Sequence, residues 1–327
     1  MSPIAGVVFR QVAGSDGNTI RVAVQGEGPL VLMVHGFPES WFSWRHQMPA
    51  IAAAGFTAAA IDVRGYGGSD KPMGIEHYTL KELAGDIVAV IDGLGASSAI
   101  LVGHDWGAPQ VYTTAILFPH RVRALAGLSA TAGNFVDRKP SSGWSAVYGD
   151  DFFYHRYFWT PGVAEAEIEK DPHRFVRLFY HGLSGDTDGH INPLWQDAGA
   201  TDLLGKLPEP QAPAPWLSAA EIDYYAQSFI EGGIAAPLNR YRAVDLDVDQ
   251  LRPFGQQRIE QPAIFIGGAR DPARWMIPRT DRYANPVERF SDARGVHILE
   301  KAGHWVQQEA AESVNAHLIR FLLGMRQ

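Results

Sequence analysis

Gly103-His104-Asp105-Trp106-Gly107 is the stretch on which the reading of this chain turns. It follows Ser98–Gly103 (S-A-I-L-V-G), a short apolar run of the kind that forms a strand buried on both faces of a parallel sheet. It precedes Trp106–Phe118, whose pattern predicts a helix. Small residues two before and two after the centre permit a sharp strand-to-helix turn that lifts the Asp105 side chain above the sheet. A carboxylate there needs no proton removed before it attacks, which suits displacement at an sp³ carbon with formation of an enzyme ester. The competing role is a loop aspartate that caps the next helix.

Outward from that turn the chain alternates strands and helices. Val7–Val12 and Thr19–Gln25 read as strands separated by a turn, and Pro29–His35 and Ala58–Val63 read as buried strands. Leu80–Leu94 has apolar residues at helical spacing, and Ile277–Tyr283 is a further helix candidate. After Ala130 the texture changes to aromatics, Pro, Gly and Asp, with helical patterns at Val163–Lys170, Pro172–His181 and Ala219–Glu231. Strand texture returns at Pro262–Gly268 and Val296–Leu299, followed by one amphipathic helix over Val306–Leu323. The expectation is an α/β core with a mostly parallel central sheet flanked by helices, over residues 1–133 and 246–327, interrupted by a helical insertion over 134–245.

Composition excludes several function classes. The 327 residues are 46% hydrophobic and 20% charged, as in a globular chain with a large core. A net charge of −8 supplies no basic field for nucleic acid. With no cysteine, disulfides, thiolate catalysis and Cys-ligated zinc are out. Ala50–Ile61, the most apolar run, is broken by Gly55 and Thr57 and falls short of the about 20 residues a membrane span needs. Met1–Gly14 does not read as a signal peptide, so the cytoplasm is the default location.

Three more loops carry candidate chemistry. His35-Gly36-Phe37-Pro38 follows a buried strand, where a backbone N–H of Phe37 would join that of Trp106 in an oxyanion hole. Lys301-Ala302-Gly303-His304-Trp305 offers His304 as a general base towards water. Asp271 follows the strand Ala263–Ile266 and would orient the imidazole, although it also fits an N-cap before Pro272. Asp137, after an earlier strand, is the alternative acid. Gly65–Asp70 lacks dinucleotide-loop spacing and reads as a strand-end loop. Asp186-Thr187-Asp188-Gly189 lacks the later Glu of a calcium loop.

These residues resemble the epoxide hydrolases of the α/β-hydrolase superfamily, particularly the soluble type. The resemblance rests on His35–Gln47 (H-G-F-P-E-S-W-F-S-W-R-H-Q), Asp62–Ser69 (D-V-R-G-Y-G-G-S) and Gly103–Gly107, and spans nearly the whole chain. It implies a helical cap that supplies two tyrosines to the epoxide oxygen. Tyr154, ahead of Pro161-Gly162, and Tyr241, in Asn239-Arg240-Tyr241-Arg242, match those positions. It further implies a small apolar epoxide as substrate, bound by Phe37, Trp106, Tyr154 and Tyr241, and no metal or organic cofactor; a homodimer is left open. Ser129–Phe135 (S-A-T-A-G-N-F) departs from the family's usual Asn/Ser-x-Pro-Phe run. Two rivals share the scaffold. A haloalkane dehalogenase would use the same Asp105 and His304, with Trp106 and a second tryptophan (Trp144, Trp159, Trp195 or Trp216) around the halide. A non-catalytic receptor would bind an apolar ligand under the cap.

Overall fold

A computed structural model describes residues 4–133, 139–187 and 202–326. Asp137, Trp195 and the Asp188-Gly189 part of the calcium-like loop lie outside the described residues.

Among the described residues the strands are β1 (Val8–Ala13), β2 (Thr19–Gln25), β3 (Leu30–Val34), β4 (Thr57–Ile61), β5 (Ala99–His104), β6 (Val122–Leu128), β7 (Ile259–Gly268) and β8 (Phe290–Leu299). They form one sheet in the order β1-β2-β4-β3-β5-β6-β7-β8. β2 runs antiparallel to both its neighbours, and every pairing from β4 to β8 is parallel. The apolar runs explain the centre of the sheet: every residue of β3 and β5 is buried. Helices α1 (Gln47–Ala53), α2 (Leu80–Gly93) and α3 (Gly107–Leu117) connect the first half. α2 begins where the Thr79 side chain accepts the Glu82 N–H, a cap that satisfies an otherwise orphan donor.

Between β6 and β7 the chain leaves the sheet. It forms α4 (Pro140–Tyr148), α5 (Tyr154–Trp159), α6 (Val163–Ile168), α7 (Pro172–Gly182), α8 (Ala219–Gly232), α9 (Ala235–Arg242) and α10 (Val244–Leu251). α7 opens on the Asp171 side-chain cap with Pro172 in the first turn, and α8 on a Ser218/Glu221 capping box. The expected boundary at 245/246 falls inside α10. The chain closes with α11 (Val306–Glu309) and α12 (Ala311–Gly324). No helix among the described residues is long and apolar enough to cross a membrane.

Three expectations are corrected. Ile277–Tyr283 is a series of turns. Pro278 lacks an N–H, Arg279 has φ +63°, and Asp281 is held by Arg274 Nε and Nη2, at 2.7 Å each, and by the Tyr283 N–H. The single last helix is two, broken at Ala310 (φ −127°, ψ 44°). β8 starts at Phe290, six residues before the expected Val296, because an edge strand needs no apolar run and the Ser291–Gly295 stretch is polar.

The turn between β5 and α3 is packed backbone against backbone. A Cβ on Gly107 would lie 2.1 Å from the Val34 carbonyl oxygen and 2.8 Å from that of His35. Neither oxygen can move without displacing β3. Gly107→Ala is therefore expected to cost about 3 kcal/mol, read as a lower urea midpoint at unchanged slope. Gly324→Ala, where a Cβ meets nothing within 4 Å, serves as the control and should stay within about 0.5 kcal/mol of the parent.

Candidate functional site

The parallel strands from β3 to β8 all deliver their C-terminal loops to one edge of the sheet, and the candidate residues lie there. Asp105 follows β5 with φ +50°, an uncommon conformation for a residue with a side chain. Its amide donates to the Leu128 carbonyl at 3.1 Å and its carbonyl accepts from Ala108 at 3.0 Å. Gly36 must lack a Cβ, because one would lie 2.3 Å from Asp105 Oδ1. That close approach lets the Phe37 N–H donate to Oδ1 at 2.8 Å. The carboxylate thus engages the β3 loop and does not cap α3.

Asp105, His304 and Asp271 come together in line. His304 Nε2 lies 3.3 Å from Asp105 Oδ2. Its Nδ1 lies 3.1 Å from each oxygen of Asp271. Asp271 is fully buried and accepts from the Ala273 N–H at 2.8 Å, so it is also the N-cap of the single turn Pro272–Trp275. Asp271 thus faces the imidazole and caps the turn at the same time. Burial works against charge on the His304 ring. The Asp271 charge and the hydrogen bond that His304 Nε2 donates to Asp105 outweigh it and hold the imidazole well above its ordinary value. Burial likewise works to raise the Asp105 carboxyl, but His304, His104 and the Phe37 N–H bring it below the usual carboxylate range.

Tyr154 heads α5 and Tyr241 ends in α9. Trp159 Nε1 donates to the Tyr241 carbonyl at 3.0 Å, Arg242 Nε donates to the Phe158 carbonyl at 2.9 Å, and Arg242 pairs with Glu165 at 2.8 Å. These bonds fix the two helices as one unit. The tyrosine rings are 6.0 Å apart, and Tyr241 meets Phe37 and Trp106 edge-on at 5.1 and 5.4 Å. Asp105, Trp106, Tyr154, Tyr241 and His304 line one cavity of about 500 Å³, large enough for a small organic ligand. Burial and the Asp105 charge push the Tyr154 phenol well up, and burial, Tyr154 and Asp105 do the same to Tyr241. Both phenols are therefore protonated donors.

Several residues escaped the sequence reading. The Tyr283 hydroxyl donates to Asp271 Oδ2 at 2.6 Å; only its position twelve residues after an aspartate hinted at this. Ser129 Oγ and His104 Nε2 both approach the His304 carbonyl at 2.8 Å. His104 Nδ1 lies 2.6 Å from Glu39, whose carboxylate also takes the Gly36 N–H at 2.9 Å and the Gln307 amide at 2.8 Å. Glu39 and His104 both stood inside quoted motifs without a role. Glu309 accepts the Gly303 N–H and the Trp305 N–H, on either side of His304, at 2.9 Å each, and the Gly185 N–H from the insertion at 2.8 Å. Burial still pushes its carboxyl up to about 7. Of the tryptophans considered for halide binding, Trp144 lines the cavity, Trp159 gives its N–H to Tyr241, and Trp216 stands against Tyr180.

Known proteins are similar to this chain along nearly its whole length. A family model described as the alpha/beta hydrolase fold matches residues 29–311. Epoxide hydrolase A of Mycobacterium tuberculosis is 38% identical over 322 residues, covering 98% of this chain and 99% of that protein. An epoxide hydrolase structure from an endophytic Streptomyces superposes with a TM-score of 0.92 at 42% identity, covering 98% of this chain and 97% of that one. Epoxide hydrolase A from Mycobacterium thermoresistibile gives 0.89 at 41% identity over 97% of this chain and 98% of its own. With the core, the loop order and these relatives in agreement, the chain belongs to the α/β-hydrolase fold family, in its epoxide hydrolase branch.

Proposed function

We propose that this protein opens epoxides with water to give vicinal diols, through an ester on Asp105. The observation that carries the reading is one apolar cavity lined both by a carboxylate nucleophile and by two protonated phenols. An epoxide needs both: an attacking carboxylate on carbon and proton donors to the oxygen that departs. In this reading Tyr154 and Tyr241 donate to the oxirane oxygen while an Asp105 oxygen attacks a ring carbon. The ring carbon–oxygen bond breaks, the ester forms, a phenol proton passes to the alkoxide, and the proton of His304 then restores the phenol and leaves the imidazole neutral. His304 then takes a proton from water. The water attacks the Asp105 ester carbonyl, whose oxyanion meets the N–H groups of Phe37 and Trp106. The bond between the acyl carbon and the substrate oxygen then breaks, the new acid's proton passes to the departing alkoxide, and the diol and the Asp105 carboxylate are released. Residues 134–245 act as the cap over a core of 1–133 and 246–327.

The charges account for the order of events. In the resting enzyme two carboxylates hold His304 protonated. Esterification removes the charge of Asp105, and with it one of the causes that keep the imidazole charged. The ring then relaxes towards the neutral form that can accept a proton. The base becomes competent only once the ester exists.

Halide displacement is not favoured. The relatives reported above are epoxide hydrolases, and Phe37 brings no side-chain N–H to the position after His35-Gly36. Given an epoxide and a bromoalkane in parallel, the enzyme should release diol and no bromide; bromide without diol would defeat the assignment. His304→Gln should accumulate an ester that raises the mass of the Asp105 peptide by that of the epoxide. Asp105→Asn should form none and lose roughly 10³-fold or more in turnover. A wild-type protein that binds the epoxide unchanged would point to a receptor instead. Tyr154→Phe and Tyr241→Phe are each expected to slow ester formation by roughly 10²-fold, measured by stopped-flow fluorescence, with the double variant falling further.

Tyr283→Phe tests the support of the base. Without the 2.6 Å hydrogen bond the Asp271 charge falls more fully on His304. The imidazole then stays protonated to higher pH. The acid limb of the turnover profile should move up by about half a pH unit to one unit. A limb that stays in place, or moves down, would remove Tyr283 from the site.

A further inference from the structure

His155 lines the active-site cavity, yet the proposed cycle gives it no task. It follows Tyr154 directly and is only 6% exposed. Its ring stacks on Phe153 (4.9 Å, 19°) and meets Tyr154 and Tyr241 edge-on at 4.5 and 4.8 Å, with Trp106 at 6.0 Å. With Trp144 at 5.9 Å, five aromatic neighbours make this a place where phenylalanine would pack without any polar cost. Instead the ring carries two nitrogens, neither of which hydrogen-bonds to any described residue, and Nδ1 is sealed from solvent with no partner. Nε2 is not among the sealed, unpartnered atoms, so it is the nitrogen open to the cavity. Burying a polar ring unpaired is costly, and of its two nitrogens only Nε2 can be paired by a ligand in the cavity.

We infer that His155 is a specificity subsite, whose Nε2 hydrogen-bonds a hydroxyl on the carbon next to the oxirane, so that 2,3-epoxy alcohols are preferred over plain alkyl epoxides. The inference rests on the epoxide-opening reading. The ring lies against both phenols and beside Trp106, so the side chain shares the part of the cavity in which the proposed oxirane donors stand. Burial pushes the imidazole down to about 3, so it is neutral throughout the working range. A neutral imidazole offers one donor and one acceptor, and its tautomer adapts to the partner. A hydroxyl, itself donor and acceptor, pairs with either form, whereas an ammonium or a carboxylate would bring an uncompensated charge into an aromatic wall.

The test compares trans-2,3-epoxyhexan-1-ol with trans-2,3-epoxyhexane, which differ only in the hydroxyl. For each enzyme the ratio of kcat/KM values is taken, alcohol over alkane. A neutral hydrogen bond corresponds to about fivefold in that ratio. The hydroxyl's inductive effect on ring opening is common to all variants and cancels between them. His155→Phe and His155→Leu should each lower the ratio by about fivefold, whichever way the absolute rates move. His155→Gln, which returns a polar group, should recover part of it. If the variants slow both epoxides alike and leave the ratio unchanged, His155 is a packing residue and the subsite is refuted. If wild type opens both epoxides to diols with a ratio no higher than that of His155→Phe, the subsite again fails while epoxide hydrolysis stands. If wild type opens neither, the epoxide reading itself falls and takes the subsite with it.

Discussion

Two carboxylates face one imidazole at the C-terminal edge of the sheet, and much of the architecture answers to that arrangement. Asp105 and Asp271 carry two negative charges against a single positive one on His304. An unbalanced charge in a low-dielectric interior is tolerable only where oriented dipoles and hydrogen-bond donors surround it. Each oxygen is provided for. The Phe37 N–H meets Asp105, and the Ala273 N–H and Tyr283 hydroxyl meet Asp271. The imidazole between them is fixed through its own backbone. Ser129 and His104 approach its carbonyl, Glu309 grips the amides on both sides, and the His304 N–H reaches back to Leu183 in the insertion at 2.9 Å. The groups that the chemistry needs at liberty, one carboxylate edge and one ring nitrogen, are held by groups that never react.

The parallel sheet makes that convergence possible. Because β3, β5, β6, β7 and β8 all point the same way, their following loops share one edge, and His35–Phe37, Asp105, Ser129, Asp271 and His304 are neighbours despite wide separation in sequence. The insertion leaves from that same edge after β6, so its helices α5 and α9 can present Tyr154 and Tyr241 to the nucleophile without disturbing the sheet. The coupling between the layers is local and strong. Trp305, beside His304, stacks on Tyr180 of α7 at 4.3 Å and donates to its carbonyl at 2.8 Å. A change in α7 would therefore be felt at the base.

What the sequence discloses follows from which constraints are local. A buried parallel strand must be apolar throughout, so β3 and β5 are legible to within a residue or two at each end. A turn that forces a side chain to φ +50° against neighbouring backbone demands small residues at fixed offsets, so Asp105 stands out between Gly103 and Gly107. Asp271 and His304 sit on short loops after strands, where position alone suggests a role. The tyrosines have no such local signature; Tyr154 and Tyr241 were found by resemblance, since aromatic residues crowd the insertion. Tyr283 and Glu309 act through partners far away in sequence or through backbone amides, and neither leaves a pattern. The turns at Ile277–Tyr283 misled for a related reason. Pro278 and the Arg274–Asp281 pair decide the conformation there.

The Asp105 charge, which joins that of Asp271 in holding His304 protonated, also adds to burial in raising both phenols. In the proposed cycle this gives one event two consequences. While Asp105 is ionised, its field favours neutral Tyr154 and Tyr241, so the acids hold their protons until an epoxide arrives. As the ester forms, that field vanishes at the instant the departing oxygen needs a proton, and the phenols become easier to ionise. The imidazole, released from the same charge, moves towards its basic form. In the proposed cycle the phenols thus become stronger acids while His304 is freed to take a proton, both through the loss of the Asp105 charge. A serine at the elbow could not provide this coupling, because its resting form is neutral and its ester changes no charge. The choice of aspartate therefore sets the timing of proton transfer at both ends of the cavity as well as the identity of the nucleophile.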